Sequence, residues 1–280
     1  MPSTAPSKFT TTTRVARVPY LNATPFFRAL KLGDSYELVD CSPRALGQKA
    51  ALGEIEAGLL PLADYVRLQD TFERLGRFGI AVHGRAHSVV LFSARPVRQL
   101  DGATIAVTED TSTSVVLLRL LLEKRYGVIP ASYDSRRRAE KRSTVKSVAR
   151  DRRTAAEADA LLLIGDEALR FKQANTQYPY EIDLAFEWWL WQHQPSVFAV
   201  WTVRKDIEAP KKKELEAALA RALAVNTGRL EAIAQEAAAG LGVPAEQLVA
   251  YLAGFHYRFG KDEEDGMARF EALMHEHHLL

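Results

Sequence analysis

Short apolar runs alternate along the chain with longer segments whose apolar positions recur at helical spacing, the pattern of crossover units built around parallel strands. Residues 15–20 predict a strand. Residues 24–32, with Pro25 in the first turn and Gly33 just beyond the end, predict a helix. A second strand is expected at 36–41. Ser42 and Pro43 then open a helix that Gly53 closes, and a buried strand at 57–60 runs into Pro61. A fully apolar strand covers 87–93.

The plan then restarts. A strand at 104–107 precedes the hydroxyl run Thr111, Ser112, Thr113 and Ser114, and a helix over 115–125 stops at Tyr126 and Gly127. Residues 160–164 form a buried strand ending in Gly165 and Asp166, followed by a helix from Glu167, and 197–203 return as a strand. Beyond Pro210 the chain turns to Ala, Leu, Glu and Lys, with Leu215, Leu219, Leu223, Leu230 and Ile233 near helical spacing. Gly240 to Pro244 end that run, and two further helices are expected.

Since the strand-to-helix plan occurs once before residue 95 and once after it, the pattern predicts an α/β protein of two similar lobes with mixed, largely parallel sheets. The first lobe is discontinuous, 14–94 with 198–280, and carries a C-terminal helical segment. The second is 95–197, and 1–13 is expected to be a disordered tail. A cleft between the lobes, at the carboxyl ends of strands, is where such folds collect ligands.

Composition narrows the ligand. The 280 residues are 47% hydrophobic and 26% charged, which excludes wholesale disorder and a collagen-like chain. Thirty-seven basic against 35 acidic side chains leave no general field for a polyanion, so a small ligand is expected and nucleic acid is not. The stretch 135–153, where nine Lys and Arg face only Glu140 and Asp151, reads as a solvated surface segment. Cys41 stands alone and can form no internal disulfide. No run approaches 18 apolar residues and the start lacks a secretory apolar core, so a cytoplasmic protein without membrane insertion is expected. His275, His277 and His278 lack a convincing partner, and His83 and His87 flank a turn, so no metal is assigned.

The candidate chemistry lies where each lobe's first strand meets its helix. Asn22 and Thr24 in one lobe, and Thr111, Ser112 and Thr113 in the other, place an amide and hydroxyls beside helix N–H groups, which favour anions. Each also reads as an ordinary helix or turn cap. Facing each other across a cleft, they would suit a dicarboxylate. Ser88, a lone polar residue at the start of an apolar strand, and Gly165 with Asp166, at the end of another, are weaker candidates taken singly.

Five segments carry a family resemblance: Val-Pro-Tyr-Leu-Asn-Ala-Thr-Pro at 18–25, Ser-Val-Val-Leu-Phe-Ser at 88–93, Leu-Asp-Gly-Ala-Thr-Ile-Ala-Val-Thr at 100–108, Thr-Ser-Thr-Ser-Val-Val-Leu-Leu at 111–118 and Leu-Leu-Ile-Gly-Asp-Glu-Ala-Leu at 162–169. Tyr178-Pro179-Tyr180 with Asp183-Leu184, Phe198 to Trp201, and Tyr251-Leu252 with Tyr257-Arg258 continue it. Together they resemble the chorismate dehydratase family of the futalosine route to menaquinone. The basic stretch 135–153 departs from the family's pattern.

The resemblance implies a type II periplasmic-binding-protein fold used as an enzyme, and removal of water from chorismate to give 3-[(1-carboxyvinyl)oxy]benzoate without metal or organic cofactor. It places Asn22 and Ser88 at the catalytic centre. Thr24, Thr111, Ser112 and Thr113 bind the substrate's carboxylates, and Gly165 and Asp166 line the cleft. Monomer and homodimer both remain open. Three other readings compete: a non-catalytic dicarboxylate-binding protein of the same fold, the sister enzyme 1,4-dihydroxy-6-naphthoate synthase, and a nucleic-acid protein built on the basic stretch.

Overall fold

In the computed structural model the described residues are 12–108, 111–135 and 158–280. They form two mixed sheets, each flanked by helices. The first contains β1 (Thr13–Arg17), β2 (Tyr36–Asp40), β3 (Ala57–Pro61), β4 (Phe72–Val82), β10 (Ser196–Arg204) and β11 (Phe255–Arg258), in the order β11-β4-β10-β3-β1-β2. The second contains β5 (Val89–Ser93), β6 (Thr104–Val107), β7 (Ser132–Ser135), β8 (Ala160–Ile164) and β9 (Tyr180–Asp183), in the order β7-β6-β8-β5-β9. Thr13, expected in the tail, is buried and opens β1. Most of the tail and of the basic stretch 135–153 lies outside the described residues.

The helices are α1 (Thr24–Phe27), α2 (Pro43–Ala51), α3 (Leu62–Arg67), α4 (Thr113–Arg119), α5 (Gly165–Ala174), α6 (Leu184–Gln192), α7 (Ala209–Thr227), α8 (Leu230–Leu241), α9 (Ala245–Ala253) and α10 (Lys261–Glu276). A π-helical stretch, Leu120–Tyr126, prolongs α4 until Gly127 ends it in the left-handed conformation. The helix expected at 24–32 is cut to one turn because Arg28 is extended and Ala29 has φ 56°. Its end is held from α7, where the buried Asn226 amide donates to the carbonyls of Pro25 (3.0 Å) and Arg28 (2.6 Å).

The two sheets divide the chain earlier than the sequence pattern suggests. β4 ends in the first sheet at Val82 and β5 begins in the second at Val89, so the strand expected within 14–94 belongs to the second lobe. The return passes through α6 into β10. Each strand that enters from the other lobe runs against its new neighbours. β5 is antiparallel to β8 and β9, and β10 is antiparallel to β3 and β4, while β1 with β2 and β3, and β6 with β7 and β8, are parallel. The sheets are therefore mixed, and the antiparallel share exceeds the crossover pattern's expectation. Strand β5 could not be assigned to a lobe by its composition, because all five residues are buried. Leu91 packs into the main core, while Val90 and Phe92 face a smaller cluster with Leu161 and Leu163.

Two features fix the parts that reach the cleft. Phe26 of α1 is fully buried, with its ring edge-on to Trp201 (5.7 Å), Tyr257 (5.6 Å) and Phe78 (6.3 Å), which anchors α1 and the turn before it on the first sheet. Asp183 ties the two crossings together. Its carboxylate accepts the N–H groups of Ala86 (3.2 Å) and His87 (2.7 Å) on the outward crossing and of Ala185 and Phe186 (3.1 Å each) at the start of α6.

Strand β4 was not legible because Gly76 and Gly79 interrupt it, yet Gly79 is there for space. A Cβ at Gly79 would lie 2.2 Å from the Phe259 ring and 2.4 Å from the Ala199 carbonyl oxygen. Gly79→Ala is expected to destabilise the protein by about 2 kcal/mol or more, the scale of core overpacking. Gly240→Ala, in α8 with open space around the new carbon, is expected to stabilise it by about 0.5 kcal/mol. Urea midpoints of the two variants check both signs.

Candidate functional site

The cleft opens where strands of both sheets end, and it contains about 620 Å³ of empty space, part of it open to solvent. From the first lobe come Tyr20 and Asn22 after β1, Pro43 after β2, Pro61 at the end of β3, and Phe198 of β10. The second lobe gives Thr111, Ser112 and Thr113 before and into α4, and Gly165 after β8. Ser88 sits at the crossing between them. Among the described residues, none of those lining the cleft is a carboxylate, lysine, arginine or histidine. This described lining offers an anion hydroxyl, amide and backbone N–H groups, and α2, α4 and α5 all begin at this surface.

Each hydroxyl has a different state. Thr113 is committed to the scaffold: its Oγ1 donates to the Phe198 carbonyl (3.0 Å) and accepts the Ala63 N–H (3.1 Å), joining the lobes. Ser112 donates to the Asp64 carboxylate at 2.7 Å. Burial pushes the Asp64 carboxyl up from its ordinary value, against the Ser112 hydrogen bond and the Arg67 charge, which lower it. Thr111 is different, because its Oγ1 is buried in the cleft wall with no hydrogen-bond partner among the described residues. A buried hydroxyl without a partner costs about 1–3 kcal/mol, which a ligand oxygen would relieve. Ser114, also buried, lines the same wall.

Ser88 is nearly inaccessible, and its Oγ accepts a hydrogen bond from the Tyr251 hydroxyl of α9 at 2.9 Å. Complete burial holds the Tyr251 phenol well above its ordinary pKa, opposing the Ser88 hydrogen bond, so Tyr251 is a protonated donor. Ser88, having accepted, has its own hydrogen to give to an acceptor in the cleft. Sequence reasoning missed Tyr251. Its only signal was its place in a resembling segment, because α9 is far from Ser88 along the chain.

Gly165 lets the lobes approach: it has φ 57°, and a Cβ there would lie 3.0 Å from the Tyr20 ring. Its N–H donates to the Ser88 carbonyl at 2.8 Å. Thr24 and Asp166 do not line the cleft. They border a neighbouring depression with Arg17, Arg28 and Glu236, since the one-turn α1 and the 3-10 turn Leu21–Ala23 before it direct Asn22 inward and Thr24 outward. Asp166 instead braces the Asn22 turn across the lobes, accepting the Leu21 N–H at 3.0 Å. Burial raises its carboxyl pKa, opposed by that bond and by Arg170. Of the two expected helix starts, the Thr111 segment and the Asn22 turn do meet at one cleft.

The chain is similar to known proteins over nearly its whole length. A family model described as menaquinone biosynthesis matches residues 13–276. Chorismate dehydratase of Thermus thermophilus is 32% identical over 269 residues, covering 91% of this chain and 92% of that protein. Among solved structures, Protein AF1704 from Archaeoglobus fulgidus superposes with a TM-score of 0.72 at 20% identity, over 95% of this chain and 98% of that one. The alkanesulfonate-binding protein SsuA of Xanthomonas axonopodis pv. citri, bound to MOPS, gives 0.64 at 15% identity, over 96% and 94%. Those two likenesses show the fold, an α/β periplasmic-binding-protein fold. With its family model spanning nearly every described residue and a relative at 32% identity over nine-tenths of its length, this chain belongs to the menaquinone biosynthesis family.

Proposed function

We propose that the protein is a chorismate dehydratase, removing water from chorismate to give 3-[(1-carboxyvinyl)oxy]benzoate in the futalosine route to menaquinone. The carrying observation is a cleft whose described lining has no carboxylate, lysine, arginine or histidine but has Thr111, a buried hydroxyl without a partner among the described residues, an amide, Asn22, and a serine polarised by a buried tyrosine. Identity to the Thermus enzyme over nearly the whole chain supports it. Such a cleft suits a substrate that brings its own charges and a reaction that runs downhill.

Chorismate carries a ring carboxylate and an enolpyruvyl carboxylate. Thr111 through its hydroxyl, and Ser112 and Thr113 through the backbone N–H groups that open α4, receive carboxylate oxygens, and the two lobes close over the ring. The reaction takes the proton from the ether-bearing ring carbon and the hydroxyl from its neighbour; the C–H electron pair becomes part of the aromatic ring, and proton and hydroxide leave as water. An amide is a poor base. Asn22 therefore orients and polarises, while the enolpyruvyl carboxylate or a water receives the proton. Ser88 donates to an oxygen at the reacting ring, and Tyr251 keeps it in that direction. Positioned proton transfer of this kind gives about 10²–10⁴-fold.

The proposed division into lobes, 12–82 with 196–280 and 89–183, follows the two sheets. Among the described residues no helix is long and apolar enough to cross a membrane, and the reading places the protein in the cytoplasm with its substrate. A non-catalytic receptor for dicarboxylates would share this fold, so kinetics must separate the two.

With chorismate, the ultraviolet spectrum of an aromatic enol ether should appear. Asn22→Ala is expected to lower kcat by about 10² or more with binding changed far less, because an interaction made mainly in the transition state appears in kcat. Native turnover in Asn22→Ala removes Asn22 from the mechanism, and no turnover by the native protein leaves the receptor. Tyr251→Phe is expected to lower kcat about tenfold, the value of one hydrogen bond. That loss should be equal across neutral pH, since burial keeps the phenol protonated. Thr111→Val should instead raise KM by about 10-fold or more, the scale of a hydrogen bond to a charged group.

A further inference from the structure

On the face of the first sheet away from the cleft, a second cluster of side chains converges. His256 of β11 pairs with Ala81 of β4, and His83 follows two positions after Ala81, so the two imidazoles are diagonal neighbours on one face. Phe255, pointing the other way, lines the cleft. Helix α10 brings Glu263 beneath them from its first turn. Glu263 is buried, and its Oε2 is fixed by the Gly260 N–H at 2.7 Å. Its Oε1 is 2.7 Å from His83 Nε2 and 3.0 Å from His256 Nδ1, and all three donor atoms lie within 4.8 Å of one another. The two imidazole rings are stacked, with centroids 4.2 Å apart and planes 22° from parallel, and the Trp189 ring lies 6.0 Å from His83.

Three features distinguish this cluster from a chance surface ion pair. Two imidazoles from separate segments, one just after β4 and one in β11, turn ring nitrogens to the same carboxylate oxygen. The carboxylate is oriented from behind by a backbone N–H, as metal-binding carboxylates are. The spacing also fits: ligands about 2.0–2.2 Å from a tetrahedral ion lie about 3.3 Å from one another, so three donors already this close need little movement to share one.

We propose that His83, His256 and Glu263 form a site for a divalent transition metal of the zinc type, with a fourth position left to solvent. Two imidazoles and one carboxylate suit zinc and its neighbours, whereas magnesium and calcium require more oxygen ligands. The ion would join the end of β4, β11 and the start of α10. It would thereby pin the outward crossing at its first residue, apart from the reaction cleft and independently of what the cleft binds. The sequence did not expose the site because two of its ligands come from the last thirty residues and the third from the strand that its glycines concealed.

The test uses the full chain, freed of metal with a chelator and titrated with zinc by calorimetry and with cobalt by visible absorption. The C-terminal His275, His277 and His278 are an alternative sink, so a variant with all three changed to Ala is titrated beside the native protein. The expected result is one zinc per chain retained in the tail variant, and a cobalt spectrum of four-coordinate N/O type. His83→Ala and His256→Ala, at solvent-accessible side chains, should each weaken that binding by about 100-fold or more. Saturating zinc should raise the melting temperature of the native chain but not of the His83→Ala chain. Zinc binding that disappears with the tail histidines, binding undiminished in His83→Ala and His256→Ala, or no binding at all overturns the proposal.

Discussion

The Asp183 carboxylate is the constraint on which the two-lobed arrangement depends. It is buried and accepts four backbone N–H groups, two from the outward crossing at Ala86 and His87 and two from the start of the helix that leads back. A crossing between sheets has no ladder to satisfy its N–H groups, and at buried depth each unsatisfied group costs a large part of a hydrogen bond. One carboxylate meets that need for both crossings and thereby fixes their relative position. His87 is held at φ 60°, an unusual conformation for a side-chain-bearing residue, and the next residue is Ser88. The strain of that turn and the placement of the serine have the same cause.

From there the cleft assembles through contacts between lobes. Gly165 donates to the carbonyl of Ser88, Asp166 accepts from Leu21 beside Asn22, and Thr113 bridges Ala63 and Phe198. These bonds hold the cleft wall through backbone groups at Ser88 and Leu21 and through the Thr113 hydroxyl, leaving the hydroxyls of Thr111 and Ser88 less committed. Thr111 has no partner among the described residues, and Ser88 is an acceptor whose hydrogen is still to give. Preorganised donors in a site that excludes water are the main source of electrostatic stabilisation, because they need not reorient when charge moves.

Much of this was legible in the sequence, and what was not has identifiable causes. The strands at 104–107 and 160–164 were read to the residue, since both are apolar runs bounded by turn residues. The pairing of β5 with the second sheet is not legible because β5, apolar on both faces, looks the same in either sheet. β4 and β11 were missed, one for its glycines and the other for its four-residue length between helices. Asn22, Ser88, Gly165 and the hydroxyls 111–113, all of which line the cleft, stand out in the sequence because they directly follow or precede recognisable strands. Thr24 was misdirected by a helix that proved to be one turn long, and Asp166 turned out to brace the Asn22 turn. Tyr251 and the His83, His256 and Glu263 cluster depend on contacts between distant segments, which no local pattern encodes.

A fold shared with solute receptors makes the distinction between binding and catalysis a matter of a few atoms. A receptor gains nothing from an unspent hydrogen bond, since its affinity is greatest when every donor is satisfied by the resting ligand. An enzyme accelerates only through interactions that are stronger in the transition state than in the bound substrate. The Tyr251–Ser88 pair has the form that the second case requires. It is a neutral, buried relay whose terminal donor stands at the crossing between lobes, where it can meet charge that appears as the ring loses its hydroxyl. Since the product ring is aromatic, the barrier to be lowered is that of bond breaking alone. In the proposed mechanism a relay of two hydroxyls and the Asn22 amide are therefore commensurate with the task.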